Sequence, residues 1–230
     1  MINTKAIFIS AQQPRSGKDL SAKYLQSFFT DLGYNCEIHA FKDKLIEHTA
    51  DFVGVTVEKF MEHYDDKVVS LTYAQTVDIF RPHPKPQNHA WVKDVPMYEV
   101  DGNVYSKRQA LIHVSEDIYK PIHGKDYFGQ AVAKLIDNQD IIIYSDSGFA
   151  HEAFPVIEKV RKDNCLVVQL IRQGYDSGIK DSRKLLEPDD FPEHLRPRFV
   201  RVSNPNCEDW EGILEDNLRL KVANKVLEGI

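Results

Sequence analysis

Only three cysteines occur in the 230 residues, Cys36, Cys165 and Cys207, and no two of them form a CxxC pair. That scarcity excludes a disulfide-dense scaffold and the usual cysteine-based zinc sites, and it predicts reduced thiols in a cytoplasmic protein. Long apolar runs are also missing, so no membrane span and no membrane partner are expected. Met1 to Ser10 lacks the basic start and extended apolar stretch of a signal peptide, which again predicts a cytoplasmic location. A basic excess is absent too. Lys and Arg number 29 against 35 Asp and Glu, a net charge of −6, which argues against a protein that coats nucleic acid. Internal repeats and low-complexity tracts do not occur. A chain of this length can bury a sizeable core and suits one domain carrying small insertions.

What is present alternates between two periods. Ala6-Ile7-Phe8-Ile9 is a short apolar, β-branched run that predicts a buried parallel strand. Leu20, Tyr24, Leu25 and Phe28 then recur at helical spacing, and Gly33 supplies a stop. Cys36 to Phe41 predicts a second strand and Lys42 to Val53 a helix. Met97 to Val100 and Asn103 to Tyr105, joined by Asp101-Gly102, carry a hairpin signal. Ser106 with Gln109 three residues on predicts a capping box opening the next helix. Helices are expected over Tyr127 to Ile136 and Phe154 to Arg161, and from about Asp209 onward. Strands are expected at Asp140 to Tyr144, Cys165 to Ile171 and Arg198 to Val202. Alternating strands and helices imply an α/β fold whose mostly parallel sheet is covered on both faces, a three-layer α/β/α arrangement. One domain spanning 1–230 is expected, with an insertion at 57–107 over a site and a lid loop at 172–190. The prolines of Arg81-Pro82-His83-Pro84-Lys85-Pro86 exclude regular structure there.

The first strand-to-helix connection carries chemistry. It reads Ala11-Gln12-Gln13-Pro14-Arg15-Ser16-Gly17-Lys18-Asp19-Leu20. Gly17 and Lys18 stand where a Walker A loop, GxxxxGK[ST], needs them, between a strand and a helix. In such a loop successive backbone N–H groups and the positive end of the helix hold phosphates, and the lysine reaches the β- and γ-phosphates. The residues predicted to contact nucleotide are therefore Gln13, Pro14, Arg15, Ser16, Gly17, Lys18, Asp19 and Leu20. Gln12 replaces the first glycine, and Asp19 replaces the hydroxyl residue that normally meets Mg²⁺. A carboxylate there can still serve, because Mg²⁺ accepts one or two carboxylates and keeps several waters.

Asp146 ends the Ile141–Tyr144 strand, and ligands of doubly wound sheets lie outside the carboxyl ends of strands. It is a second candidate Mg²⁺ contact, or a contact to the phosphoryl acceptor. Past the Cys165–Ile171 strand come Arg172 and, further along, Arg183. Phosphoryl transfer is catalysed by positioning and by neutralising charge, which suits arginines beside a phosphate loop.

Together these residues resemble the bacteriophage deoxynucleoside monophosphate kinases and, more distantly, the phosphomevalonate kinases that share a Ser-Gly-Lys-Asp loop. Ile7 to Ser10 leading into Arg15-Ser16-Gly17-Lys18-Asp19 is the sharpest match. The resemblance implies a P-loop NTPase fold, ATP and Mg²⁺ as cofactors, a role in nucleotide metabolism and residence in the host cytoplasm if phage-encoded. It further implies that Lys42, Arg108 and Gln109 bind the acceptor, with Arg108 gripping its phosphate, and that Asn204 lies near the adenine of ATP. Ser147-Gly148 departs from the family, whose members carry an arginine after the aspartate.

Three activities are expected in competition. The first is transfer of the ATP γ-phosphoryl group to a deoxynucleoside monophosphate. The second is transfer to a hydroxymethylated pyrimidine in phage DNA, with Asp146 as base. Aromatic and basic residues between Arg81 and Val95 (His83, Lys85, His89, Trp91, Lys93) suit an acceptor larger than a mononucleotide. The third is a nucleotide-binding or nucleotide-hydrolysing interaction module. A homodimer is compatible with the sequence.

Overall fold

The computed structural model describes residues 3–13, 16–62, 97–175, 184–205 and 207–229. Contacts between residues divide the chain into two compact units, 1–41 with 126–230, and 42–125.

The first unit is built on a five-stranded sheet. Its strands are β1 (Lys5–Ala11), β2 (Cys36–His39), β5 (Ile141–Tyr144), β6 (Cys165–Ile171) and β7 (Arg198–Ser203), in the order β2-β5-β1-β6-β7. Every pairing in it is parallel. All five carboxyl ends therefore share one edge, and β1 is central. Residues alternate between the faces as the pleat requires. Ile7, Ile9, Ile141 and Ile143 face α1 (Lys18–Asp31), α8 (Trp210–Leu218) and the helical turns that follow to Val226. Ala6, Phe8, Ile142 and Tyr144 face the opposite way, towards α6 (Tyr127–Lys134) and α7 (Ala150–Val160). The α/β class, the parallel sheet and helices on both of its faces thus follow the sequence pattern.

Boundaries differ where one residue overrides the period. α7 begins at Ala150, a turn earlier than the expected start at Phe154, and Pro155 lies inside it. Proline is favoured at a first helical turn. The helix instead accommodates it one turn in. α6 ends at Lys134, two residues short of the expected Ile136.

The second unit is smaller. α2 (Lys42–Val53) and α3 (Val57–Met61) pack Ile46, Ala50 and Phe60 with Tyr98 and Leu111. The hairpin β3 (Met97–Val100) and β4 (Asn103–Ser106) turns through Asp101 and Gly102, both at positive φ. The capping box forms as expected. The Ser106 hydroxyl accepts the Gln109 N–H at 3.3 Å, and Gln109 Oε1 accepts the Ser106 N–H at 2.9 Å. It opens α4 (Lys107–Ile112), which widens into π-helical turns over His113–Tyr119 before α5 (Lys120–His123). Neither α3 nor the wide turns were expected. α3 is only five residues long, too short to show a period.

Candidate functional site

The candidate site lies along the carboxyl edge of the first unit's sheet. β1 runs to Ala11, and the loop after it delivers Gly17 to the start of α1. Gly17 is the N-cap and sits in the left-handed region, with φ 89° and ψ 16°. L-residues with a side chain avoid that conformation, which is why glycine is needed here. A Cβ on Gly17 would also lie 2.8 Å from Asn204 Nδ2 and 3.5 Å from Leu214 Cδ2.

The loop is braced from within. The Ser16 hydroxyl donates to the Gln13 carbonyl at 2.7 Å, and the Ser21 hydroxyl and backbone N–H both donate to the Gly17 carbonyl at 2.8 Å. Asn204, fully buried, donates from Nδ2 to the Ser16 carbonyl at 2.8 Å. Lys18 and Leu20 are half-buried, while Gln12 and Asp19 are exposed. The opening N–H groups of α1 have no carbonyl within the helix to bond, and its dipole places partial positive charge at the same end. Such an end favours an anion. Pro14 and Arg15 lie outside the described residues.

β5 pairs with β1 and delivers Asp146 to the same edge. Asp146 is buried, and its Oδ1 accepts the Phe41 N–H at 2.9 Å. Beneath it the rings of Phe8, Phe41 and Tyr144 stack, with Tyr144 5.1 Å from Phe8 and 5.0 Å from Phe41 between ring centroids. The Tyr144 hydroxyl has no hydrogen-bond partner among the described residues, and burial pushes its pKa well above the usual phenol range. This aromatic stack fixes Phe41, and Phe41 fixes one oxygen of the carboxylate. Ser147 and Gly148, where the resembled kinases carry arginine, are both buried.

β6, on the other side of β1, ends at Ile171, and Arg172 follows directly. The Arg172 guanidinium stacks over Tyr175 at 4.2 Å and Trp210 at 5.4 Å. With Cys207 and Glu208 it lines an open hollow of about 440 Å³. Arg183 and positions 176–183 of the expected 172–190 lid loop lie outside the described residues, as does the Arg81–Val95 stretch. The chain resumes at Lys184 and is tied straight back to the sheet. The Leu186 N–H donates to the Ser10 hydroxyl at 3.0 Å, and Gln169 Nε2 donates to the Leu186 carbonyl at 2.6 Å. Ser10 and Gln169 were not singled out from the sequence. Both could have been, since each is a polar residue inside an apolar strand.

Lys42, Arg108 and Gln109 belong to the second unit. Lys42 opens α2 and is half-buried, Arg108 is half-buried on α4, and buried Gln109 uses its Oε1 in the capping box. Among the described residues no three His, Cys, Asp or Glu side chains cluster as metal ligands. The helix start with its side-chain-free Gly17 and the two carboxylates on one sheet edge nevertheless suits a phosphate chain with its cation. A phosphate-bound Mg²⁺ needs only one or two protein carboxylates. The free thiols Cys36 and Cys165 are buried and Cys207 is exposed. No helix among the described residues is long and apolar enough to cross a membrane. No protein-family model matches the sequence, and a search of curated proteins finds no match to it.

Proposed function

We propose that this chain is an ATP-dependent phosphotransferase with a P-loop NTPase fold, acting on deoxynucleoside monophosphates. The observation that carries the reading is the Gly17 cradle. A positive-φ glycine followed by a lysine opens a helix at the carboxyl end of the central parallel strand. The neighbouring strand contributes a buried acid to the same edge, which supports a cation-dependent phosphate site.

In this reading ATP with Mg²⁺ supplies the phosphoryl group. The Gly17 N–H and the first-turn N–H groups of α1 bind the phosphate chain, and Lys18 adds charge to it. Asp19 and Asp146 hold the cation directly or through water. Arg172 neutralises charge at the transferring group, a role that the resemblance extends to Arg183. A phosphate acceptor is already anionic, so no general base is required. The acceptor-side assignment of Lys42, Arg108 and Gln109 stands on the resemblance to phage nucleotide kinases.

Incubation with γ-labelled ATP tests this directly, using deoxynucleoside monophosphates, duplex DNA containing hydroxymethylated pyrimidine, or no acceptor. Label on a monophosphate is the expected result. Label on DNA alone would replace the acceptor class and keep the kinase. ATP turnover indifferent to every acceptor would leave only the nucleotide-hydrolysing module. Lys18→Ala should abolish turnover in each case.

A further inference from the structure

Among the described residues, the peptide joining Ser16 to Gly17 is bonded at its carbonyl and not at its N–H. Its carbonyl accepts Asn204 Nδ2 at 2.8 Å. No peptide bond in the described chain is cis, so the carbonyl and the N–H of this unit point in opposite directions. Drawing the Ser16 carbonyl towards Asn204 therefore sends the Gly17 N–H the other way, away from the buried Asn204. Three further features hold the donor in place. Asn204 is fully buried. Its own backbone N–H bonds the Ile171 carbonyl at 2.9 Å, at the end of β6. And the missing side chain of Gly17 leaves the space its amide occupies, since a Cβ would come within 2.8 Å of Nδ2. Asn204 Oδ1, by contrast, is buried with no hydrogen-bond partner among the described residues. An apolar residue would avoid that desolvation cost, so the side chain's donor is what this position needs.

We infer that Asn204 is a positioning residue for the phosphate loop. It orients the Ser16–Gly17 peptide so that the Gly17 N–H is aimed at a bound phosphate before any ligand arrives. The inference rests on the phosphate-binding reading proposed above and assigns Asn204 to the phosphate side of the nucleotide. It also gives Gly17 two separate reasons to be glycine, the positive φ and the approach of Nδ2.

The test is titration calorimetry of the full chain with Mg·ATP and with inorganic tripolyphosphate, which has no base. Asn204→Asp keeps the shape but cannot donate to the Ser16 carbonyl. It should weaken both probes by about tenfold and by the same factor. Asn204→Ser, too short to reach, gives the same reading should a buried carboxylate unfold the chain. In the Asn204→Ala background, adding Gly17→Ala should cost less affinity than it does in the wild type. The φ strain is common to both, while the clash with Nδ2 is gone. Unchanged tripolyphosphate affinity in folded Asn204 variants overturns the inference while the phosphate reading stands. A loss confined to ATP also overturns it, by moving Asn204 to the base. Should the wild type bind neither probe, the phosphate reading fails and the inference falls with it.

Discussion

The Asp146 carboxylate accepts the backbone N–H of Phe41 at 2.9 Å, tying the end of β5 to the residue that follows β2 by two positions. A buried carboxylate bound to a backbone amide is oriented whether or not a ligand is present. Structural and chemical roles of Asp146 can therefore be separated. Asp146→Asn keeps an acceptor for Phe41 and should leave thermal stability almost unchanged. Asp146→Ala strands a buried donor, at a cost of about 1–3 kcal/mol, or roughly 2–4 °C in Tm per kcal/mol. On the phosphotransferase reading proposed above, both variants should lose activity by roughly a hundredfold. Full activity in Asp146→Asn would remove the carboxylate from the chemistry.

Gly129 of α6 lies tight against the backbone of α7. A Cβ there would stand 2.0 Å from the backbone carbonyl oxygen of Glu152 and 2.8 Å from its carbon. Backbone cannot rotate out of the way, so α7 would have to move. Gly129→Ala gains about 1 kcal/mol of helix propensity but should lose about 3 kcal/mol to overpacking, and the second effect wins. Gly212 on α8 is the control. The three atoms nearest its Cβ would all belong to the Asp209 side chain, the first at 3.2 Å, so Gly212→Ala should be neutral or slightly stabilising. Chemical denaturation of the two variants checks both signs.

Much of this architecture was legible because it is written in short-range periods. The Ile141–Tyr144 strand, the Asp101-Gly102 turn and the Ser106–Gln109 box each depend on residues within a few positions of one another. The Gly17 loop was legible for the same reason. What holds that loop was not. Asn204 lies 188 residues from Ser16, and Ser10 lies 176 from Leu186. No local pattern encodes contacts that only the strand order creates. The resemblance drew attention to Asn204, but the bond from its amide to the Ser16 carbonyl was not legible.

Thiol chemistry offers an independent check on burial. Burial, then the neighbouring Glu37, pushes the Cys36 thiol up to about 12. Burial, then Asp163, raises Cys165 as well. The thiolate is the reactive form, so a raised pKa keeps both protonated and inert through neutral pH. At about pH 8 a thiol titrating near 12 is ionised in only about one molecule in ten thousand. A disulfide reagent should therefore label one cysteine rapidly in the native chain, the exposed Cys207, and all three after denaturation. Rapid labelling of Cys36 would contradict the packing of β2 beneath α1.

Gln169 is a polar side chain inside β6, only 2% exposed, and its amide nitrogen serves the segment that returns to the sheet at Leu186. Its Nε2 donates to the Leu186 carbonyl at 2.6 Å and to Glu187 at 2.9 Å, and its Oε1 accepts Arg201 Nε at 3.0 Å. The Leu186 N–H meanwhile holds Ser10, on the strand that leads into the Gly17 loop. Gln169→Leu would fill the same space with better intrinsic hydrophobicity, but it leaves the buried Leu186 carbonyl without its donor. The unsatisfied acceptor should dominate and cost about 2 kcal/mol. Ser10→Ala removes the other half of the clamp and should cost about 1 kcal/mol. Because the two positions hold one residue from its two sides, their effects should not add, and the double variant should lose less than the sum. Limited trypsinolysis supplies the local readout. Cleavage after Lys184 should accelerate in Gln169→Leu relative to cleavage after Arg219, and equal acceleration at both would mean that global unfolding had replaced release of this segment.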